Sequence, residues 1–417
     1  MAAMQTDGTP GRGAFFEDAE NLRKDVTFVG IRECALQTPA FAELKAIYDD
    51  RDTVARQWKA EGRKVIGKLG CDVPDELIIA AGMLPVAVYA DAQKPLEQTN
   101  KYLEYAFDPM VRAQFERLVD GTYADLIDAL AISNSTDVVI RVFLYLRELH
   151  RVEPEKAVPP VAFIDWLFSR HRLHQTRDEF VIELFKKQVE DWAGHAVTDE
   201  EIREAGRLCN ENRQALRDMA QLRHGEAVRI SGSEALVIIG AGLFMEKARH
   251  TALVRQVTEA AASWPVLTGP RIFYTGANQE DTALYEKIEE SGLVIVGEDI
   301  DWGDRSYDRD FNMTYPVIRA IVDRYLLREF SARKSTPAQR VEALDREVNA
   351  AGAQGVIFYT NQFDEVATWD MPKQRRSLES RGIKHTTFGR MQWPVCKNEG
   401  LDEKLAAFAA EMKGGVQ

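Results

Sequence analysis

Apolar and polar positions along this chain switch repeatedly between a strand period and a helix period. Lys64-Val65-Ile66-Gly67 is a short apolar run closed by a glycine. Asp75-Glu76-Leu77-Ile78-Ile79-Ala80-Ala81-Gly82 follows as a helix with acids in its first turn and a glycine stop. Leu84-Pro85-Val86-Ala87-Val88 opens a second strand, and a helix near 109–120, a strand at 127–132, a helix at 137–150 and a strand at 160–164 continue the series. Short apolar runs separated by helices of this length predict a parallel sheet covered on both faces.

Residues 177–265 break that rhythm. Arg177 to Trp192, Asp199 to Leu222 and Met245 to Ser263 are long, charged and 3.6-periodic, with no strand chemistry between them. The alternation then resumes, with strands at 271–275, 293–296, 355–359 and 384–388. Helices at 280–290, 316–330, 336–351, 371–381 and 401–413 lie between and after them. The pattern divides the chain into an N-terminal arm and helices (1–62), a first α/β domain (63–176), a helical segment (177–265) and a second α/β domain (266–417). The stretch before residue 26, with Thr9-Pro10-Gly11-Arg12-Gly13, reads as a frayed arm, and 41–62 as charged helix.

Composition narrows the function classes. The 417 residues are 45% apolar and 29% charged, which excludes a disordered chain, a collagen and a coiled-coil rod. The longest apolar run, Ala235 to Met245, falls short of the roughly 20 residues that span a bilayer, and no basic-then-apolar leader opens the sequence. No membrane is expected, and the cytoplasm is the expected compartment. A net charge of −13 argues against a nucleic-acid surface, although 53 Lys and Arg can still hold an anionic ligand locally. Cys34, Cys71, Cys209 and Cys396 form no CxxC pair and no zinc spacing, so free thiols are expected.

Parallel sheets bind ligands past the carboxyl ends of their strands. Four such loops carry short polar side chains just before a helix: Gly70-Cys71-Asp72-Val73-Pro74, Ala106-Phe107-Asp108-Pro109, Ser133-Asn134-Ser135-Thr136-Asp137 and Asn361-Gln362-Phe363-Asp364-Glu365. Helix capping explains the same residues, Asp108 before Pro109 above all, and capping and ligand binding use the same helix ends. Ser231-Gly232-Ser233-Glu234 reads as a turn and a capped helix. No GxGxxG, GxxxxGK[ST] or GxSxG motif occurs, which argues against a dinucleotide enzyme, a P-loop ATPase and an α/β-hydrolase. The seven histidines lie mostly in charged helical stretches, with His171 and His174 able to share a face. Trp302-Gly303-Asp304-Arg305 fits a structural Arg–Asp pair and a substrate contact equally.

From about Arg63 to Pro394 the sequence resembles the paired subunits of 2-hydroxyacyl-CoA dehydratases and class I, ATP-dependent benzoyl-CoA reductases. The stretches that carry the resemblance are Lys64 to Val86, Arg229 to Glu234, Arg271 to Tyr307 and Ala353 to Trp393, in that order. Trp369-Asp370-Met371-Pro372 and Gly389-Arg390-Met391-Gln392-Trp393 look closer to the benzoyl-CoA reductase side. The resemblance implies two flavodoxin-like doubly wound domains and a heterodimer with a homologous sister subunit. It also implies a [4Fe–4S] cluster, a separate ATP-hydrolysing iron–sulfur activator that supplies single electrons, and an acyl-CoA bound beside the cluster.

The chain departs from that family where the cluster would be held. The second loop, Cys-Pro in the family, reads Asp108-Pro109; the third, Cys-Asp, reads Thr136-Asp137; the fourth, Cys-Asp, reads Phe363-Asp364. A carboxylate is a harder ligand than the thiolates such clusters prefer, and phenylalanine has no donor atom. The expectation is a cluster-free subunit of a benzoyl-CoA reductase-like enzyme that shapes the acyl-CoA pocket and docks a partner carrying the cluster. A 2-hydroxyacyl-CoA dehydratase subunit and a cluster-free acyl-CoA-binding or scaffold relative are the alternatives. Asp137, Asp364 and Glu365 are the expected proton-moving residues. Cys71, Asp108, Ser135, Thr136 and Phe363 are the expected substrate contacts, and no residue of this chain is expected to bind metal.

Overall fold

Ile66 pairs with Pro85 on one side and Ala129 on the other, and this strand arrangement recurs in the second half of the chain. The computed structural model describes residues 28–169, 171–224, 227–328 and 335–414, without the side chains of 28–30, 365 and 366. The arm expected before residue 26 lies outside the described residues. Strands β1 (Val65–Leu69), β2 (Leu84–Ala87), β3 (Ala129–Ser133) and β4 (Val161–Ile164) form one parallel sheet in the order β2-β1-β3-β4. Strands β5 (Arg271–Gly276), β6 (Val294–Glu298), β7 (Gly355–Asn361) and β8 (Lys384–Met391) form the other in the order β6-β5-β7-β8. Each order matches the first four strands of a doubly wound, flavodoxin-like sheet. β3, β6 and β7 are buried along their whole length, as near-continuous apolar strands with helices on both faces must be.

The helical segment holds four helices, the three long periodic ones and the short one announced by the Ser231 cap: Arg172–Ala193, Asp199–Ala220, Gly232–Ala241 and Lys247–Ala261. Thr198 opens the second with a reciprocal capping box to Glu201. Gly232–Ala241 is buried at all ten positions, so it has no polar face and no 3.6-residue stripe to betray it. Ser231 caps it by accepting from the Glu234 N–H, as its sequence suggested. The helix after β7 begins at Glu365 rather than near 371, and Pro372 lies inside it. The helix expected at 41–62 is two helices, Pro39–Asp49 and Thr53–Ala60. Among the described residues no helix is long and apolar enough to cross a membrane.

Both sheets have a reversal point, between β1 and β3 and between β5 and β7, and each carries a glycine there. Gly70 (φ +94°) follows β1, and a Cβ on it would overlap the hydroxyls of Ser133 and Ser135. Gly276 (φ +126°) ends β5, and its Cβ would overlap the Tyr359 carbonyl. Only glycine allows both this backbone conformation and this approach.

Candidate active site

The two reversal points open onto one cavity of about 820 Å³. Its wall takes Gly70 and Cys71 from the loop after β1, Ser135, Thr136 and Asp137 from the loop after β3, and Asp108 from the loop ahead of helix Pro109–Val119. The second sheet supplies Gly276 to Asn278, Thr360, Asn361, Phe363 and Asp364. Seven of the eight expected site residues therefore face a common space. The eighth, Glu365, has its side chain outside the described residues.

Three helix N-termini converge on this cavity, each closed by an oxygen-bearing cap. Asp108 accepts from the N–H groups of Met110 (2.9 Å) and Val111 (3.1 Å), with Pro109 as the first helical residue. Thr136 accepts from the Val139 N–H (3.2 Å) and Asp364 from the Ala367 N–H (3.3 Å). The capping reading of the sequence thus holds, and the caps lie on the cavity wall as well. A helix N-terminus carries partial positive charge, so three of them favour negative charge in the space between.

Burial pushes the Asp108 carboxyl up to about 6, and the charge of Asp364 adds to the shift. The Val111 and Met110 N–H groups and the Asn361 side chain oppose it. Two further cavity acids are moved toward neutrality, and neither stood among the expected site residues. Glu280, fully enclosed, is pushed up to about 7 by burial, even though the Ala90 N–H (2.7 Å) and Gln114 Nε2 (2.6 Å) both donate to it. Through those bonds Glu280 ties the loop after β5 to the first sheet's side of the cavity. Asp299, just past β6, is pushed up to about 6 by burial, against the pull of Arg305. Applying the strand-end rule to β5 and β6 as well would have found both.

Phe363 adopts φ +69°, a left-handed conformation costly for a residue with a bulky side chain. Trp369, although a large aromatic residue, is 80% exposed. Its helix turns Ala367, Asp370, Met371 and Gln374 to the cavity, which leaves Trp369 on the solvent side. Arg305 lies 3.5 Å from Asp301, while Asp304 pairs with Arg223 at 3.2 Å, so the pairing of Trp302-Gly303-Asp304-Arg305 is with residues outside that tetrapeptide. His171 and His174 meet edge to face, centroids 5.6 Å apart, and neither lines the cavity.

The donor set does not suit an iron–sulfur cluster. A [4Fe–4S] centre is held by cysteine thiolates, and the resemblance implies one in each of three loops. The cavity wall offers Cys71 and Cys209, and burial pushes the Cys209 thiol up to about 12, which keeps it protonated. Cys34 and Cys396 do not line it. Asp108 and Thr136 are engaged as caps, and Phe363 offers carbon. Among the described residues no group of three or more His, Cys, Asp or Glu side chains is arranged to hold a metal ion.

Comparison with known proteins gives one family and several relatives. The family model described as 2-hydroxyglutaryl-CoA dehydratase, D-component, matches residues 71–412. The (R)-phenyllactyl-CoA dehydratase beta subunit of Clostridium sporogenes is 23% identical over 351 residues, covering 83% of this chain and 91% of the relative. The beta subunit of (R)-2-hydroxyglutaryl-CoA dehydratase from Acidaminococcus fermentans is 23% identical over 363 residues, covering 83% and 92%. A benzoyl-CoA reductase subunit of Thauera aromatica is 24% identical over 381 residues, covering 86% and 96%.

Proposed function

This chain belongs to the family of the 2-hydroxyglutaryl-CoA dehydratase D-component, and on that premise we propose that it is the cavity-forming subunit of an enzyme that dehydrates a 2-hydroxyacyl-CoA. The observation that carries the reading is the convergence of three capped helix N-termini and three near-neutral carboxyl groups on one cavity. Dehydration converts the 2-hydroxyacyl thioester to a 2-enoyl thioester and water. It needs a base to take the proton on carbon 3, an acid to protonate the departing hydroxyl, and stabilisation of negative charge on the thioester oxygen. Helix N-termini in an enclosed site supply the last. Carboxyl groups held near 6 and 7 exchange protons at neutral pH far better than ordinary aspartates or glutamates.

In this reading Asp108, with Asp364 beside it, moves the proton nearest the thioester, and Asp137 and Glu365 stand in reserve at their helix starts. Cys71, Ser135, Thr136 and Phe363 contact the acyl thioester. The single electron that such chemistry requires comes from outside this chain and is returned, so the net change is loss of water alone. The [4Fe–4S] cluster is assigned to a homologous sister subunit and the electron to an ATP-hydrolysing iron–sulfur activator, all in the cytoplasm.

A second reading, reduction of an aromatic acyl-CoA by a benzoyl-CoA reductase-like enzyme, has its own support. Asp370 and Met371 of the reductase-like stretch line the cavity, and the Thauera aromatica benzoyl-CoA reductase protein is among the relatives. The two are separated by supplying the complex of both subunits and activator with ATP and a low-potential reductant. Formation of 2-enoyl-CoA from an (R)-2-hydroxyacyl-CoA is the expected result. Reduction of benzoyl-CoA to a cyclic dienoyl-CoA, with the (R)-2-hydroxyacyl-CoA left unchanged, would select the reductase. Iron and acid-labile sulfide at cluster stoichiometry on this chain alone, after anaerobic reconstitution, would refute the assignment of the cluster to the sister subunit.

A further inference from the structure

Lys68 and Lys247 come from distant parts of the chain and share one carboxylate. Lys68 is the fourth residue of β1, and Lys247 opens the helix Lys247–Ala261. Lys68 donates to Asp75, whereas the Lys247 ammonium lies 3.6 Å from the same carboxylate and donates to the Gly242 carbonyl at 2.7 Å. All three side chains line the cavity and are between 11% and 13% exposed.

This leaves donors and positive charge in excess. Each ammonium carries three N–H donors. Among the described residues the two lysines make one hydrogen bond each, to Asp75 and to Gly242. The adjacent carboxylate, Glu76, is taken by Arg213 (2.5 Å) and the Tyr325 hydroxyl (2.8 Å). Arg324 adds a further cation close by and is itself paired with Asp308 at 3.1 Å. Two further polar neighbours bring no negative charge. Cys209 stays a thiol, and His250 is neutral, its Nε2 donating to the Ile238 carbonyl (2.8 Å) while Nδ1 accepts from Asn212 (2.7 Å). A cluster of Lys68, Lys247 and Arg213 against Asp75 and Glu76 is one negative charge short, in a space that water can only partly screen.

We propose that Lys68 and Lys247 form an oxyanion subsite within the cavity, built for a carboxylate or phosphate carried by the bound ligand. The assignment rests on the acyl-CoA reading. Two parts of such a ligand have the required chemistry: the terminal carboxylate of a dicarboxylic acyl group, and the phosphates of coenzyme A. In agreement, burial and the neighbouring Lys68 hold the Lys247 ammonium below its usual range, a strain that an incoming anion relieves.

The test titrates the full-length chain, wild type and Lys247→Met, with glutaryl-CoA, pentanoyl-CoA and the glutaryl thioester of pantetheine. A tenfold or greater preference of wild type for glutaryl-CoA over pentanoyl-CoA, abolished in Lys247→Met, establishes the subsite with the acyl carboxylate as its occupant. Equal tenfold weakening of both CoA thioesters, with the pantetheine thioester unchanged, establishes it with a phosphate. Identical binding of all three ligands by both proteins overturns the proposal. Should wild type bind no CoA thioester, the acyl-CoA reading fails, and inorganic sulfate becomes the probe. A sulfate-dependent rise in Tm seen in wild type and absent in the variant then upholds the subsite, and its absence from both overturns it. Lys247→Met leaves Asp75 paired with Lys68; should it fail to fold, Lys247→Gln and Lys68→Met take its place in the same titrations.

Discussion

Tyr105 and Phe363 meet edge to face, ring centroids 5.5 Å apart and planes at 84°. Tyr105 comes from the loop that precedes Asp108 and is 74% exposed, while Phe363 comes from the loop after β7 and lines the cavity. The contact joins the two halves of the chain at the point where Phe363 holds φ +69°. Two opposing terms meet there, a left-handed backbone that costs about 1–2 kcal/mol and an aromatic pair that returns about 1 kcal/mol. Phe363→Gly removes both and should change stability by under about 1 kcal/mol. Phe363→Ala removes the pair but keeps the strain, so it should be less stable than Phe363→Gly by about 1 kcal/mol in urea denaturation. Equal stability of the two variants would show that the backbone at 363 is not strained.

Asp108 carries a pH signature. Its carboxyl rises from 3.8 to about 6 on folding. The folded state therefore holds a proton that the unfolded chain has released between those values. The sign follows: stability tied to this group is full below pH 4 and is lost as pH rises through 6. Asn caps helices as well as Asp does and has no charge to bury. Asp108→Asn should flatten the stability profile between pH 4 and 6 and be as stable as wild type or better at pH 7.5, by up to about 2 kcal/mol. Turnover of the assembled enzyme should nevertheless fall by roughly a hundredfold or more if Asp108 moves a proton. Undiminished turnover in the Asn variant would leave Asp108 as a cap alone.

The fold and four of the site loops were legible because each rests on a local signal. A short apolar run, a positive-φ glycine and an Asp-Pro or Ser-Thr-Asp start are all decided within a few residues. Gly70, Asp108, Thr136 and Asp364 were therefore in view. The helix Gly232–Ala241 is buried on every side and shows no stripe, so only its Ser231 cap announced it. What escaped has no local signal. Glu280 owes its shift to burial, and the Ala90 and Gln114 groups that hold it there come from the other sheet's half. Lys68 and Lys247 meet at Asp75 only after the sheet and the helical segment have packed. Trp369 has the composition of a core residue, and only the orientation of its helix puts it outside.

Arg223 and Glu298 hold the loop that carries Asp299 and Arg305. Both are fully buried, joined by a bidentate pair whose longer bond is 2.8 Å, and Asp304 accepts from the same guanidinium at 3.2 Å. Arg223→Met leaves Glu298 buried without its counter-ion and should cost about 3–5 kcal/mol. Burial already pushes Glu298 up to about 7, and losing Arg223 raises it further, so the unpaired carboxyl takes up a proton. The deficit of the single variant should then be smaller at pH 5 than at pH 8. Arg223→Met combined with Glu298→Met removes both charges and should recover most of the loss. A double variant as unstable as the single one would mean that packing, not charge, makes the pair necessary.

Gly70 and Gly62 separate backbone strain from crowding at the site. Both have positive φ, +94° and +74°, so alanine pays a similar conformational penalty of about 1 kcal/mol at each. Around Gly62 nothing lies within 4 Å of an added Cβ, whereas at Gly70 that atom overlaps the Ser133 and Ser135 hydroxyls, which bond each other at 2.9 Å. Ser133 also accepts from the Asp72 N–H at 3.3 Å, so displacing it moves the loop that carries Cys71. Gly62→Ala should therefore cost about 1 kcal/mol and leave acyl-CoA binding intact. Gly70→Ala should cost at least about 2 kcal/mol and weaken acyl-CoA binding as well, because the clash is relieved only by spreading the β1 and β3 loops that form the cavity wall. Calorimetric titration of both variants with one CoA thioester checks this directly. Wild-type affinity in Gly70→Ala would mean that the loop after β1 does not touch the ligand.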